Sequence, residues 1–484
     1  MKKYFILLVL FPMMIISCKQ NKTEQPKEEV MSKENRTVPD FSKGVMTEEI
    51  LWYLGRISDP QVSPDGKTLL FAVKYYDYKL NKGNQELYTM PVKGGNPKNI
   101  TVSPNDELQA IWRPDGKKIA YLYNGENGMQ VWECNPDGTE SKQITNVKGD
   151  INGFSYAPDL KHLIYSMNVQ VDPKITDRYP DLPEANAFIY DDLMYRHWSE
   201  WKDGTYNHLF IAAYPSVENP IELLKGEKFS SPLPPFGGME QVSWSPDGKK
   251  IAYCSKKLSG KAFAESTNSD IYIYDLATKQ TTNLTEENKG YDLDPVFSPD
   301  GSKIVWWSMK TDGFESEKHR LFIHDFKTGE TKDYSSEFDQ DATNFVWSPK
   351  GNKIYFLSCK EATYQIYSLS LETKQISQLT EGDQDYNTLA LAGNELIVSK
   401  TTHALPTELF SVNLVTKYEK QLTYVNKDVL SKIKLGKSVK RWVKTTDGKQ
   451  MLVWVILPPN FDSTKTYPAL LYCQGGPQQA VSQF

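Results

Sequence analysis

Cysteine is scarce. Five in 484 residues are too few to staple a fold, so a disulfide framework is excluded. The four beyond the N-terminus, Cys134, Cys254, Cys359 and Cys473, fall in separate segments and are expected as free thiols. Histidine is scarce too. The six are scattered with no pair at metal-ligand spacing, and His162, His208, His319, His324 and His403 read as structural or exposed residues. No metal or other cofactor is therefore expected. Surplus positive charge is also missing. Lys and Arg number 56 against 61 Asp and Glu, a net charge of -5, which leaves no basic face for nucleic acid. What is present is globular, with 39% hydrophobic and 24% charged residues, and 28 Tyr and 11 Trp lean it towards β structure. The length calls for two domains or one large repeat architecture.

The N-terminus reads as an address. Lys2 and Lys3 precede an apolar run from Tyr4 to Ile16, too short to span a bilayer as a helix but of signal-peptide length. The run ends in Ile15-Ile16-Ser17-Cys18, which resembles a bacterial lipobox with a small residue before the Cys that is lipidated. Cys18 is the expected lipidation site, and residues 1–17 the expected signal peptide. Residues 18–44 hold few large apolar side chains and are expected as a polar linker. Lys19 and Gln20 do not resemble an Asp-based inner-membrane retention signal. The expected location is the cell envelope, with a lipid anchor in the outer membrane and the protein facing the periplasm.

The middle of the chain repeats. The copies run Val62-Ser63-Pro64-Asp65-Gly66-Lys67, Trp112-Arg113-Pro114-Asp115-Gly116-Lys117, Tyr156-Ala157-Pro158-Asp159-Leu160-Lys161, Trp244-Ser245-Pro246-Asp247-Gly248-Lys249, Phe297-Ser298-Pro299-Asp300-Gly301-Ser302 and Trp347-Ser348-Pro349-Lys350-Gly351-Asn352. Their prolines step by 50, 44, 88, 53 and 50 residues. An aromatic residue or Val ends one strand, Pro stops the ladder, and Asp-Gly turns the chain with Gly at positive φ. A second hairpin follows in each unit, as in Asp270 to Asp275 and Gln280 to Thr285. Four strands per unit is the signature of a propeller blade, whose two faces are buried only by its neighbours. A seventh unit, Leu389 to Val425, lacks the Pro turn but keeps the strands. Residues 45–434 are therefore expected as an all-β propeller of about seven blades behind a leading helix.

The 88-residue step reads as one blade with an insertion over about Asp172 to Trp201. Here carboxylates, Arg and aromatics are interleaved, a composition suited to recognition on one face. Glu184, Asp191 and Asp192 are the candidates for holding a cationic group, set against the plainer reading of a solvated loop.

After about Lys434 the pattern changes. Ser438 to Lys444 reads as a strand, Thr445 to Gly448 as a turn, and Met451 to Leu457 as a buried strand. Tyr467 to Cys473 reads as a third, apolar strand, running into Gln474-Gly475-Gly476-Pro477. This order, with the segment from Thr47 to Pro60, the blades and Tyr195-Arg196-His197-Trp198, resembles the prolyl oligopeptidase family of serine peptidases, in its dipeptidyl-peptidase and acylaminoacyl-peptidase branch. The resemblance implies a propeller capping an α/β-hydrolase domain. It implies that the glycine loop, here Gly475 and Gly476, lends an N–H to an oxyanion hole; Gln474 stands where the family often has His. No Gly-x-Ser-x-Gly elbow occurs in the sequence. Residues 435–484 are therefore expected as the incomplete start of a hydrolase domain, cut short by roughly 200 residues.

Two functions compete. The resemblance implies a serine exopeptidase of short peptides, with the propeller gating access and this chain inactive alone for want of a triad. The other is a non-catalytic, membrane-anchored scaffold, like TolB, that binds envelope proteins. The sequence does not address oligomeric state.

Overall fold

The computed structural model describes residues 31–473 and 480–483. Seven four-stranded antiparallel sheets follow one another along the chain as blades 1–7, over 56–99, 107–143, 151–222, 242–283, 292–333, 343–378 and 385–421. The first strands of blades 1 and 2, 4 and 5, 5 and 6, 6 and 7, and 7 and 1 meet one another, so the first strands form the inside of the ring. The wide proline step is blade 3, whose second and third strands are separated by the insertion.

The Pro turns close as their residues dictate. In blade 1 the Gly66 N–H donates to Ser63 O at 2.8 Å with Gly66 at φ +73°, and Ser63 Oγ donates to Asp65 Oδ1 at 2.6 Å. Asp65 also accepts the Lys67 N–H, which locks the turn from both sides. Blade 5 repeats this, and the hydrogen bonds from Ser298 and Ser302 hold Asp300 down to about 2. Blade 3 has Leu160 where the others have glycine, and it takes the same left-handed conformation at φ +57°.

A second repeat lies at the outer edge. Leu87, Val131, Ile271, Leu321, Ile366 and Leu409 on third strands each donate a backbone N–H to a Thr or Ser hydroxyl fourteen residues on, at Thr101, Thr145, Thr285, Ser335, Thr380 and Thr423. Blade 3 departs from this. Its buried His208 instead bonds Glu222 Oε1 at 2.7 Å and Glu227 O at 3.1 Å.

Seven apolar clusters fill the seven gaps between adjacent blades. Among the described residues no strand is exchanged between the first and last blades, so this seam closes mainly by side chains. Ile57, Phe71 and Met90 of blade 1 pack on Ile397 and Leu409 of blade 7 and on Leu422 just beyond it. Buried Asn426 clasps Gly55, donating from Nδ2 to Gly55 O and accepting the Gly55 N–H at Oδ1, both at 2.8 Å. Gly55 has no room for a side chain, because a Cβ would lie 2.6 Å from Tyr75 and 2.7 Å from Val425. Val45 bridges Lys434 just outside the clasp.

Three segments differ from expectation. Within 31–44, read from sequence as linker, Arg36 is buried between the Tyr53 and Tyr75 rings and donates to Tyr53 O at 2.6 Å. Two stacked rings and a carbonyl make the site that composition does not reveal. The strands Lys437–Lys444 and Gln450–Leu457 form the expected hairpin, but the second strand is not buried: Met451 and Ile456 are about half exposed. Residues 467–473 are not a strand, and Leu470 and Leu471 are exposed. An apolar strand needs a neighbouring strand to satisfy its backbone, and none among the described residues pairs with this segment.

Asn426→Ala would leave the Gly55 N–H and C=O buried without partners. The expected loss of unfolding free energy is about 2–4 kcal/mol, seen as a lower denaturant midpoint with an unchanged slope.

Candidate functional site

In a four-stranded antiparallel blade, the turns between strands 1–2 and 3–4 lie on one face of the ring. The 2–3 turns and the blade-to-blade connections lie on the other. The Pro turns belong to the first face, which is nearly uniform. The second is uneven. Blades 2, 6 and 7 have short 2–3 turns, whereas blade 3 inserts 171–204, blade 4 carries the helix Gly260–Glu265, and blade 5 has a loop over 309–319. Blades 3–5 thus raise a wall on this face.

The hairpin 437–457 sits on the same face across from that wall. Lys440 Nζ pairs with Asp383 at 2.8 Å and Glu361 at 4.0 Å, in the blade 6–7 connection and the blade 6 turn. Gln483 ties the hairpin to blade 7, accepting from Ser438 Oγ at 2.8 Å and from the His403 N–H at 3.3 Å.

The insertion has a braced neck. The Val171 and Asp172 N–H groups both donate to Gly204 O at 3.1 Å, and Asp172 takes Tyr206 Oη at 3.0 Å and Lys228 Nζ at 2.6 Å. Beyond the neck, Tyr190, Tyr195 and Trp201 stack on one another with centroids 5.8–6.1 Å apart, and Arg196 lies over Trp201. Aromatic stacking stands in for a core that a loop of this length cannot build.

Asp191 and Asp192 are exposed neighbours on this arm. Asp191 faces Arg178 at 3.5 Å, while Asp192 caps its own chain at the Leu193 N–H and leans onto Gly260 of blade 4, where a Cβ would meet Asp192 Oδ2 at 2.4 Å. Glu184 is exposed and forms no ion pair with a described residue. Asp191 and Asp192 are thus neighbours by sequence but engage different partners, and Glu184 is linked to neither. Gly475, Gly476 and Cys18 lie outside the described residues. The four described cysteines are free thiols; Cys134 and Cys254 are buried, and burial pushes both thiols up.

Sequence reading missed two carboxylates on the first strand of blade 5. Asp292 is buried, accepts Trp306 Nε1 at 2.7 Å and Asn288 Nδ2 at 2.9 Å, and is pushed up to about 7 by burial. Asp294 accepts Trp307 Nε1 at 2.8 Å, takes φ +55° at a bulge in the strand pairing, and is pushed up to about 6, again by burial. Burial of Glu107 at the blade 1–2 junction raises it to about 7. The only sequence signal for the blade 5 pair was two Asp just ahead of a Pro turn, on a strand that otherwise reads as apolar.

The similarities of the chain match this architecture. A family profile described as a TolB beta propeller domain matches residues 240–456. Dipeptidyl-peptidase 5 of Porphyromonas gingivalis is 42% identical over 441 residues, covering 91% of this chain and 64% of that protein. Dipeptidyl-peptidase 5 of Porphyromonas endodontalis is 43% identical over 454 residues, covering 93% and 65%. The acylaminoacyl peptidase of Pyrococcus horikoshii superposes with a TM-score of 0.67 at 18% identity, covering 87% of this chain and 60% of that one. The chain is thus a seven-bladed propeller. Its sequence resembles dipeptidyl-peptidase 5, and it spans 64–65% of the length of those two relatives.

Among the described residues burial raises six carboxylates, Glu107, Asp292 and Asp294 together with Glu86, Asp385 and Glu408, and these set a pH dependence. In the unfolded chain they titrate near 4. Between about 4 and about 7 the folded state therefore holds more protons, so stability should fall as pH rises through that window and level off above it. Each group adds a slope of at most about 1.4 kcal/mol per pH unit. Asp292→Asn should make the decline shallower by one group's share, whatever it does to absolute stability. Thermal melts from pH 4 to 8.5 check both.

Proposed function

We propose that this chain is the propeller portion of an envelope serine exopeptidase that removes short units from peptide N-termini. The observation that carries the reading is identity above 40% with two dipeptidyl-peptidase 5 proteins across nine-tenths of the chain. In the intact enzyme the propeller gates access to a pocket between the wall of blades 3–5 and a hydrolase domain that begins with the hairpin 437–457. Asp191 and Asp192, with Glu184, offer carboxylates to the substrate's free amine. Gly475 and Gly476 supply backbone N–H groups to the developing oxyanion. A serine outside these 484 residues attacks the carbonyl, with His moving the proton and Asp orienting the His. Lipidation at Cys18 places the protein on the outer membrane, facing the periplasm.

The competing reading, a TolB-like scaffold for envelope proteins, draws on the family profile and needs no nucleophile. Two measurements separate them. The 484-residue chain should not turn over dipeptidyl chromogenic amides, and the DNA after codon 484 should encode a Gly-x-Ser-x-Gly elbow; absence of that frame sinks the peptidase reading. In the product that carries the elbow, Asp191→Asn with Asp192→Asn should raise KM about tenfold or more for free-amine substrates, with little change in kcat.

A further inference from the structure

Trp198 and Phe236 are the two most exposed aromatic side chains on the wall, at 65% and 79%. They come from different elements and meet with ring centroids 5.4 Å apart and planes tilted by 50°. His197 backs Trp198 with centroids 4.6 Å apart. Neither ring braces the arm, a task already met by the stack of Tyr190, Tyr195 and Trp201.

Both rings are held out by stiff backbone. Trp198 is the first of two loop residues in a tight hairpin, where Arg196 pairs with Trp201 and His197 with Glu200. Its φ is +49°, a conformation that costs a bulky L-residue about 1–2 kcal/mol and glycine almost nothing. Phe236 follows Pro232, Pro234 and Pro235 and precedes Gly237, whose N–H donates to Leu233 O at 2.7 Å. A Cβ at Gly237 would come within 2.5 Å of both Leu233 O and Gln241 Oε1, so the turn packs too closely there for a side chain. A strained indole and a rigidly mounted phenyl, both in water and in contact, form a preorganised apolar surface rather than a piece of core.

We infer that Trp198 and Phe236 form an aromatic clamp for a bulky apolar side chain of the bound peptide. The inference rests on the peptide-binding reading above. Asp191 and Asp192 on the same arm supply the charge complement for that peptide's amine, and the clamp selects large apolar side chains over glycine. This commits the patch to a short peptide with a free amine, not to a second copy of the chain.

Calorimetric titration of the 484-residue chain with Phe-Ala-amide, Gly-Ala-amide and their N-acetyl forms tests it. Phe-Ala-amide should bind about tenfold tighter than Gly-Ala-amide, the worth of one aromatic contact with its burial. Trp198→Ala and Phe236→Ala should each bring that ratio close to one, and Trp198→Phe should keep most of it. Trp198→Gly should abolish the ratio while melting at the same temperature or higher, since glycine relieves the strain. A wild-type ratio near one, a ratio that survives both alanine variants, or no heat with any peptide at millimolar concentration overturns the clamp. So does a sedimentation shift from dimer to monomer in Trp198→Ala without a change in ratio, which would make the patch a contact between copies. N-acetylation reports separately on the carboxylates. If it weakens binding while the ratio is one, the amine site stands and the clamp falls; if it changes nothing while the ratio depends on Trp198, the reverse holds.

Discussion

A four-stranded sheet with two apolar faces cannot bury either of them by itself, and the rest of this molecule follows from that. Seven blades bury one another only if the ring closes, and the seam between blades 7 and 1 is where closure is least assured. Many rings lock their seam by letting one terminus donate a strand to the opposite blade. Here each blade is built from strands of one stretch of the chain, with the arm's hairpin inserted in blade 3. Closure therefore falls to an apolar cluster and to Asn426, whose one amide satisfies both backbone groups of Gly55. The clasp joins residues 371 apart in sequence, so its loop-closure entropy is large and its contribution is cooperative with every other interface. Arg36, wedged between Tyr53 and Tyr75, fixes the chain leading into this seam.

The two faces of the ring answer to different demands. The Pro turns of blades 1, 4 and 5 share one hydrogen-bond scheme, in which Ser, Asp and Gly complete a reversal with no surplus residues. Connections on the opposite face differ in length, charge and aromatic content. That side also receives the hairpin 437–457, through Lys440 and Gln483. The regular face is what the fold needs; the irregular one is where a ligand or a second domain can be accommodated without disturbing the ring.

The repeat was legible because its chemistry is local. Pro64, Asp65 and Gly66 encode a turn in three residues, and six such copies reveal the blades. The hydroxyl ladder from Thr101 to Thr423 is as regular, but each contact spans fourteen residues, too far for a turn motif to display. The apolar residues of 451–457 and 467–473 were read as buried because hydrophobicity reports an appetite for burial and says nothing of whether a partner is at hand. On the site, Glu184, Asp191 and Asp192 stood out because they crowd one insertion, and Trp198 only as part of the segment Tyr195-Arg196-His197-Trp198. Phe236 reaches Trp198 from the next connection, and Asp294 reaches its indole partner from the next strand, so neither pairing has a trace in local sequence.

A repeat protein also allows its common pattern to be subtracted, and what remains is informative. Blade 2 replaces the turn Ser with Arg113, which reaches Asp115, Glu133 and, across the gap, Tyr214 of blade 3. Blade 3 replaces the turn Gly with Leu160 and the outer hydroxyl with the His208–Glu222 pair. The same blade carries the long arm and the strained Trp198. Blade 6 has Lys350 for the turn Asp and blade 7 lacks the Pro turn, but the departures that add side-chain anchors gather on and beside blade 3. Extra anchoring at Arg113, Asp172 and His208 is what an arm projecting from an otherwise uniform sheet requires, because any load on the arm is carried into strands 162–170 and 205–213 at its base. Blade 3 is therefore built as a mount, and the side chains at the end of the arm are the part of the propeller whose form the ring itself does not explain.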